Sequence, residues 1–460
     1  MGVMYVRWVA TIGWIGVLGA VGPVYPARPD VRDLLAHTYA VGDSITAGWM
    51  HGTWMDRFSA CAYPALIARQ AGLQPFTEFT MPRVSFPGWP GYSGLWTWVP
   101  YPVWVQYPGT GTLVNPEVPP PLNNLAIPGL AVQGLMRGED PAFPPSVWVL
   151  RGAGSVADQL QRAPARLVTF WVGTNDAGLP LALGTVVPGW TPTPVGIYEA
   201  SLRTFMRRVY RPETWFVLMT VPDPTWTPRC HLIPPYVLNP QTGQPVRDAQ
   251  GRPVPLIGPE GLPLDSSTCV LEQAIPYLRA GYGIPAAYGG NGRGLPPFTI
   301  LDPEEQAVIH AHVRGYNEVI RRVAAEYPGN VLVFDLYGLY DRIRTRGYSI
   351  GGVRIDFSYP LGGFYGHDPY HPSPIGHAII ADALLRFLRD RLGYDLPPID
   401  LRPFLTGQAC PYPGVPAQGL QGPVRAVDRW PDSGAGRIMK GARVIGPEGG
   451  NRPVGRWGAE

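Results

Sequence analysis

The sequence predicts an α/β protein, a three-layer α/β/α sandwich built on a mainly parallel sheet. Three observations point there. The runs Thr38–Val41, Arg166–Val172, Trp215–Val221 and Val331–Asp335 are β-prone or apolar at nearly every position, the pattern of strands buried on both faces. Between and after them come helix-length stretches with apolar residues at helical spacing. Polar residues capable of chemistry follow the strands directly, Ser44 after the first and Asn175 after the second. The carboxyl edge of an open α/β sheet is where ligands sit.

The elements follow in chain order. Met1–Arg7 supplies one basic residue, and Trp8 to about Ala27 is uncharged, so residues 1–27 read as an export signal. Pro23 and Pro26 shorten the continuous apolar run to about Trp8–Gly22, too little for a comfortable membrane span. Ala20 and Ala27 are the two candidate cleavage positions. An uncleaved anchor and a buried first strand or helix are the competing readings; the favoured one places the protein outside the cell or in its envelope.

The strand at Thr38–Val41 delivers Ser44, and Trp54–Gln70 predicts a helix. Residues 76–122 break the rhythm with proline, tryptophan and tyrosine, as in Trp96, Trp98, Tyr101 and Trp104. Such aromatics could line an acyl groove or stack on sugars. The plainer reading is that they pack this excursion onto the body. Residues 223–300 form a second insertion, with a tight turn at Asn239–Gly243. A helix follows over Pro303–Glu326 with Asp302 as its N-cap, and another over Ile375–Leu392 with Ile379, Ala383, Leu384 and Phe387 on one face. After Phe404 periodicity fades, and residues 404–460 read as a Pro/Gly/Arg-rich tail. The chemistry-bearing blocks span residues 44 to 371 and must meet in one site, so residues 28–403 are read as one domain.

Composition narrows the function. With 45% hydrophobic and 15% charged residues the chain can build a core, and 57 glycines with 56 prolines imply many ordered loops. The net charge of +3 is small for 460 residues and no basic run stands out, which leaves nucleic-acid binding without support. Lys440 is the only lysine, so arginine carries nearly all the positive charge. The cysteines are Cys61, Cys230, Cys269 and Cys410, an even number that allows three pairings. Cys230 with Cys269 is preferred, because both lie in one insertion with little else to hold it; Cys61 with Cys410 would then pin the carboxyl-terminal segment. No cysteine pair has metal-ligand spacing, and His231 beside Cys230 reads as structural. No metal or organic cofactor is expected.

The chemistry lies in four blocks. Gly42-Asp43-Ser44 offers a hydroxyl, and Asp368-Pro369-Tyr370-His371 a carboxylate and an imidazole. A serine hydroxyl must pass its proton to a base as it attacks, and histidine, with an unperturbed pKa of about 6.5, suits that task. A carboxylate three residues before the histidine can fold back onto Nδ1 and fix the tautomer. The stretches Asn124–Gly129 and Gly173–Asp176 can supply a backbone N–H and a side-chain amide for an oxyanion.

In this order the four blocks resemble the SGNH hydrolases, also called GDSL-type esterases and lipases. The resemblance covers roughly residues 38 to 390, with long insertions between blocks. It implies an SGNH/flavodoxin-like sheet of about five strands, a nucleophile at Ser44, a general base at His371 oriented by Asp368, and an oxyanion hole of the Ser44 and Gly129 N–H groups with the Asn175 side chain. Pro128 departs from the small polar residue often found before that glycine. Within the family the nearest branch is an uncharacterised, lipase-like one, carried by the long insertions and the stretch from Leu301 through Ile320. No Gly-x-Ser-x-Gly elbow surrounds Ser44, and Asp368 and His371 are almost adjacent, unlike the α/β-hydrolase arrangement. Asp43 and Asp176 are read as structural, and His367 and His377 as structural or exposed. The expected activity is hydrolysis of a small-molecule or lipid ester. Two alternatives stay open: a carbohydrate O-deacetylase of the same fold, and an exported, non-catalytic scaffold.

Overall fold

Four strands form the central sheet: β1 (Thr38–Gly42), β2 (Leu167–Trp171), β3 (Trp215–Met219) and β4 (Val331–Phe334), adjacent in that order and parallel throughout. The computed structural model that contains them describes residues 30–97, 99–106 and 108–410, with residues 426 and 427 beyond. The export signal read at residues 1–27, and most of the tail read at 404–460, lie outside the described residues. A fifth segment runs parallel along the free edge of β1. Ala40 N–H donates to Asn123 O at 2.7 Å, Leu125 N–H to Ala40 O at 2.9 Å and Ile127 N–H to Gly42 O at 3.0 Å. The sheet of about five strands is thus four regular strands and this edge segment.

Among the described residues, the helices that cover the sheet or frame its edge include α1 (Ser44–Ala47), α2 (Tyr63–Gln70), α3 (Thr174–Leu183), α4 (Val195–Val209), α5 (Pro303–Ala325), α6 (Leu336–Arg346) and α7 (Pro374–Leu392). Side chains alternate across a strand, and the two faces feed two cores. Val168, Phe170, Phe216 and Leu218 join Leu202 and Phe205 of α4 and Val313 and Ile320 of α5. Leu167, Trp171, Val217 and Met219 join Leu66 of α2, Leu339 of α6 and Ile379 and Leu384 of α7. Both faces being buried explains why the strands read as unbroken apolar runs. Ala383 and Phe387, predicted on the same face of α7, pack at the margin of that core.

Asp302 caps α5 as expected, in a reciprocal box with Glu305. The single helix expected over Trp54–Gln70 is instead two, Asp56–Ser59 and α2. Pro64 accounts for the break: in a continuous helix it would remove a hydrogen bond and clash with the preceding turn, whereas in the first turn of α2 its missing N–H costs nothing.

The insertions make a third core. Ile233, Val237, Leu256, Val270 and Leu278 of the second cluster with Tyr101 and Trp104 of the first. Trp89, Tyr92, Tyr101 and Trp104 are buried, which fits the packing reading of that aromatic stretch; Trp98 lies outside the described residues. The turn at Asn239–Gly243 closes with Gly243 N–H on Asn239 O, 2.8 Å, while the Asn239 side chain accepts from Gln241 and Thr242. Both preferred disulfides are present, Cys230–Cys269 within the insertion and Cys61–Cys410 between segments 349 residues apart. Among the described residues no helix is long and apolar enough to cross a membrane.

Candidate active site

Ser44 stands at the carboxyl end of β1, on the first turn of α1. The approach is tight: a Cβ on Gly42 would lie 2.0 Å from Thr46 Oγ1, so only glycine fits there. Asp43 caps the helix, its Oδ1 accepting from Ile45 N–H at 3.0 Å. The short helix leaves its first N–H groups without intrahelical acceptors, and Ser44 N–H is among them.

The carboxyl edge also receives the loop before α7. Ser373 caps that helix by accepting from Gly376 N–H at 3.2 Å, and Gly366 N–H bonds His371 O at 2.9 Å, which fixes the loop between. Ser44 Oγ lies 2.9 Å from His371 Nε2, and Asp368 Oδ1 lies 3.1 Å from His371 Nδ1. A carboxylate only accepts, so Nδ1 carries the ring proton and Nε2 turns its lone pair to the serine hydroxyl. Trp49 stacks on the imidazole at 5.7 Å and 26°. All three polar residues are buried, Ser44 at 8%, His371 at 9% and Asp368 at 1% exposure. Burial acts to raise the Asp368 carboxyl. The His371 charge, the His371 ring and backbone N–H and the Gly52 N–H outweigh it and hold Asp368 down at about 2.

The other two blocks arrive beside them. Leu130 N–H bonds Ile127 O at 3.0 Å across Pro128 and Gly129, and Gly129 has φ +81°. Proline followed by a positive-φ glycine is the signature of a type II turn. Pro128, a departure by sequence, thus presets the turn that presents the Gly129 N–H, which meets no backbone acceptor among the described residues. Asn124 ties this loop to α1, donating to Thr46 O at 2.9 Å and accepting from Ala126 N–H at 3.1 Å. Asn175 sits in the first turn of α3, where its amide donates to Leu130 O at 3.1 Å and to Asp43 Oδ2 at 3.3 Å.

The residues read as structural all bond neighbouring segments. Asp176 accepts from Val132 N–H at 2.9 Å. His377, wholly buried in α7, accepts from Tyr63 N–H at 3.2 Å, and burial followed by the His371 charge pushes it down to about 3. The backbone N–H of His367 donates to His51 Nδ1 at 2.8 Å. Burial raises both Asp43 and Asp176 to about 6, against the pull of the N–H groups they accept.

Sequence reasoning missed the segment Trp49–Trp54, which supplies the stacked Trp49, the buried His51 and the Gly52 N–H received by Asp368 Oδ2. Its one legible signal is the pair His51-Gly52 between tryptophans. Among the described residues no group of histidine, cysteine, aspartate and glutamate could hold a metal ion.

Neither a protein-family model nor a curated protein matches the sequence. Solved structures give distant similarities. An α/β hydrolase enzyme, LAE5, from the metagenome of Lake Arreo, Spain, is 15% identical over 76% of this chain and 96% of its own, with a TM-score of 0.31. An extracellular lipase from Streptomyces rimosus is 15% identical over 74% of this chain and 94% of its own, with a TM-score of 0.28. At such scores neither says anything about the chemistry of this chain.

Proposed function

We propose that this protein is a serine ester hydrolase of the SGNH type, acting through an acyl-enzyme on Ser44. The observation that carries the reading is the continuous chain Ser44 Oγ–His371 Nε2, 2.9 Å, and His371 Nδ1–Asp368 Oδ1, 3.1 Å, assembled from residues more than three hundred positions apart. Ser44 Oγ attacks the ester carbonyl while His371 Nε2 takes its proton. The same proton then goes to the leaving alcohol, and water, activated by His371, releases the acid and restores the serine. Asp368, ionised at any working pH, steadies the imidazolium.

The developing oxyanion is received by the N–H groups of Ser44 and Gly129 and by the Asn175 amide. Both amide hydrogens of Asn175 are engaged in the free enzyme, and the longer contact to Asp43, 3.3 Å, is the one to exchange for the oxyanion. Two disulfides suit an oxidising compartment outside the cytosol, which supports the secreted or envelope location. A chain-length series of p-nitrophenyl esters, set against acetylated sugars, reads out the acyl and alcohol portions of the ester.

The test is covalent labelling. A fluorophosphonate probe is expected to modify Ser44 in the folded wild type and not in Ser44→Ala, which also loses ester turnover. Folded wild-type protein that resists the probe and hydrolyses no ester would leave the scaffold reading standing instead.

A further inference from the structure

Met50 and Thr53 exchange two backbone hydrogen bonds, of 3.0 and 3.1 Å, so His51 and Gly52 are the central pair of a tight hairpin turn. Both have positive φ, 53° and 79°, as a type I′ turn requires. Asn, Asp and Gly adopt that first central position readily; histidine carries backbone strain there. A strained residue with only 1% of its surface exposed needs a compensating role.

The turn is held at both ends. Trp49 stacks on the His371 ring, while Trp54 and Trp89 exchange two backbone hydrogen bonds of 2.9 Å. At its tip it grips the loop that carries the carboxylate, by two bonds in opposite directions. His367 N–H donates to His51 Nδ1 at 2.8 Å, and Gly52 N–H donates to Asp368 Oδ2. The two segments press close enough that a Cβ on Gly366 would stand 3.1 Å from His51 Nδ1. The two oxygens of Asp368 are therefore served from different places. Oδ1 takes N–H groups of its own loop, from Tyr370 and His371, together with the imidazole. Oδ2 takes the Gly52 N–H, from 316 residues away.

We propose that His51 is a positioning residue for the Asp368–His371 pair: its Nδ1 lone pair clamps the hairpin tip to the loop, so that the Gly52 N–H stays on Asp368 Oδ2 and Trp49 on the imidazole face. The clamp works only while the ring can accept. Burial, and then the neighbouring His367, hold His51 well below the usual histidine range against the opposing pull of Asp368, so its ring stays neutral. The inference rests on the esterase reading for its kinetic consequence, though not for its structural one.

Two substitutions separate acceptor from turn. His51→Asn keeps a side-chain acceptor and suits a positive-φ position; His51→Gly suits the turn and removes the acceptor. Expected for His51→Gly is a folded protein with kcat at least tenfold lower, KM within about twofold, and an acidic limb of the kcat/KM profile moved to higher pH, because Asp368 without its second donor holds the imidazolium proton more firmly. His51→Asn is expected to recover kcat to within about threefold of wild type. If His51→Gly does not fold, His51→Gln, which keeps an amide but displaces the acceptor, is read in its place against His51→Asn.

An activity-independent readout accompanies these, the low-field N–H resonance of His371 Nδ1. It should shift or broaden in His51→Gly and return in His51→Asn. Unchanged kcat and an unmoved resonance in folded His51→Gly would overturn the clamp, as would a folded His51→Asn no better than His51→Gly. Failure of the esterase reading looks different: the folded wild type would resist the fluorophosphonate probe and hydrolyse no ester, or Ser44→Ala would retain wild-type turnover, whatever the resonance does.

Discussion

Asp43 and Asp368 are both buried to 1% exposure or less, each next to one end of the Ser44–His371 contact, yet one is held near 6 and the other near 2. Burial pushes both carboxyls upward. The largest downward pull on Asp368 is the His371 charge, followed by the N–H groups it accepts, whereas on Asp43 it is the Ile45 N–H, followed by the His371 charge. Asp368 receives backbone N–H groups of Gly52, Tyr370 and His371 and the imidazole itself. Asp43 receives one helix N–H at 3.0 Å, a long amide contact at 3.3 Å and the Thr174 hydroxyl. A full set of donors keeps a buried carboxylate charged and ready to steady an imidazolium; a sparse set leaves the charge costly. On this view Asp368 serves charge stabilisation, and Asp43 serves geometry, capping α1 under Ser44 and aiming Asn175.

Three substitutions would break or sharpen that division. Asp368→Asn should be the most damaging, lowering kcat on the order of 10⁴-fold with KM little changed, because an amide at this place favours the wrong imidazole tautomer. A loss of tenfold or less in steady-state ester hydrolysis would mean that Asp368 does not orient His371. Asn175→Ala comes next, at about 10²–10³-fold in kcat for one lost oxyanion donor. Were its effect carried by KM instead, Asn175 would be a binding residue and not an oxyanion donor. Asp43→Asn should cost only about tenfold, since it keeps an oxygen for Ile45 N–H but sets a second amide against Asn175, the loss of roughly one hydrogen bond.

The sequence carried a good part of this, for physical reasons. Buried parallel strands read as unbroken apolar runs, and the spacing from Asp368 to His371 is a local turn that needs no tertiary knowledge. Asp302 and Glu305 announce a helix start three residues apart. What was illegible depends on distant pairing. Nothing local says that residues 123–127 will bond along β1, that Tyr101 and Trp104 will share a core with the second insertion, or that Gly52 will face Asp368. The helix read through Pro64 failed for a local reason, since a proline marks a first turn as well as a helix interior would exclude it. A histidine in a turn becomes conspicuous only once its φ is known, as at His51.

The smallest effect on turnover has a larger one on stability. Asp43 has a folded value of about 6, raised by burial, against about 3.9 for a free aspartate. The folded state therefore binds its proton more tightly. This contribution is complete below pH ~4 and is lost as pH rises through ~6. Two units correspond to about 3 kcal/mol. Asp176 acts in the same direction. Asp368, depressed to about 2, acts oppositely, with a contribution present above pH ~4 and lost as the pH falls towards 2. An asparagine at position 43 does not titrate. The unfolding free energy of Asp43→Asn relative to wild type should therefore improve by about 3 kcal/mol between pH 4 and pH 8, measured by urea denaturation at both. Parallel stability curves across that window would show that Asp43 has an ordinary carboxyl, and that the contrast with Asp368 is not electrostatic.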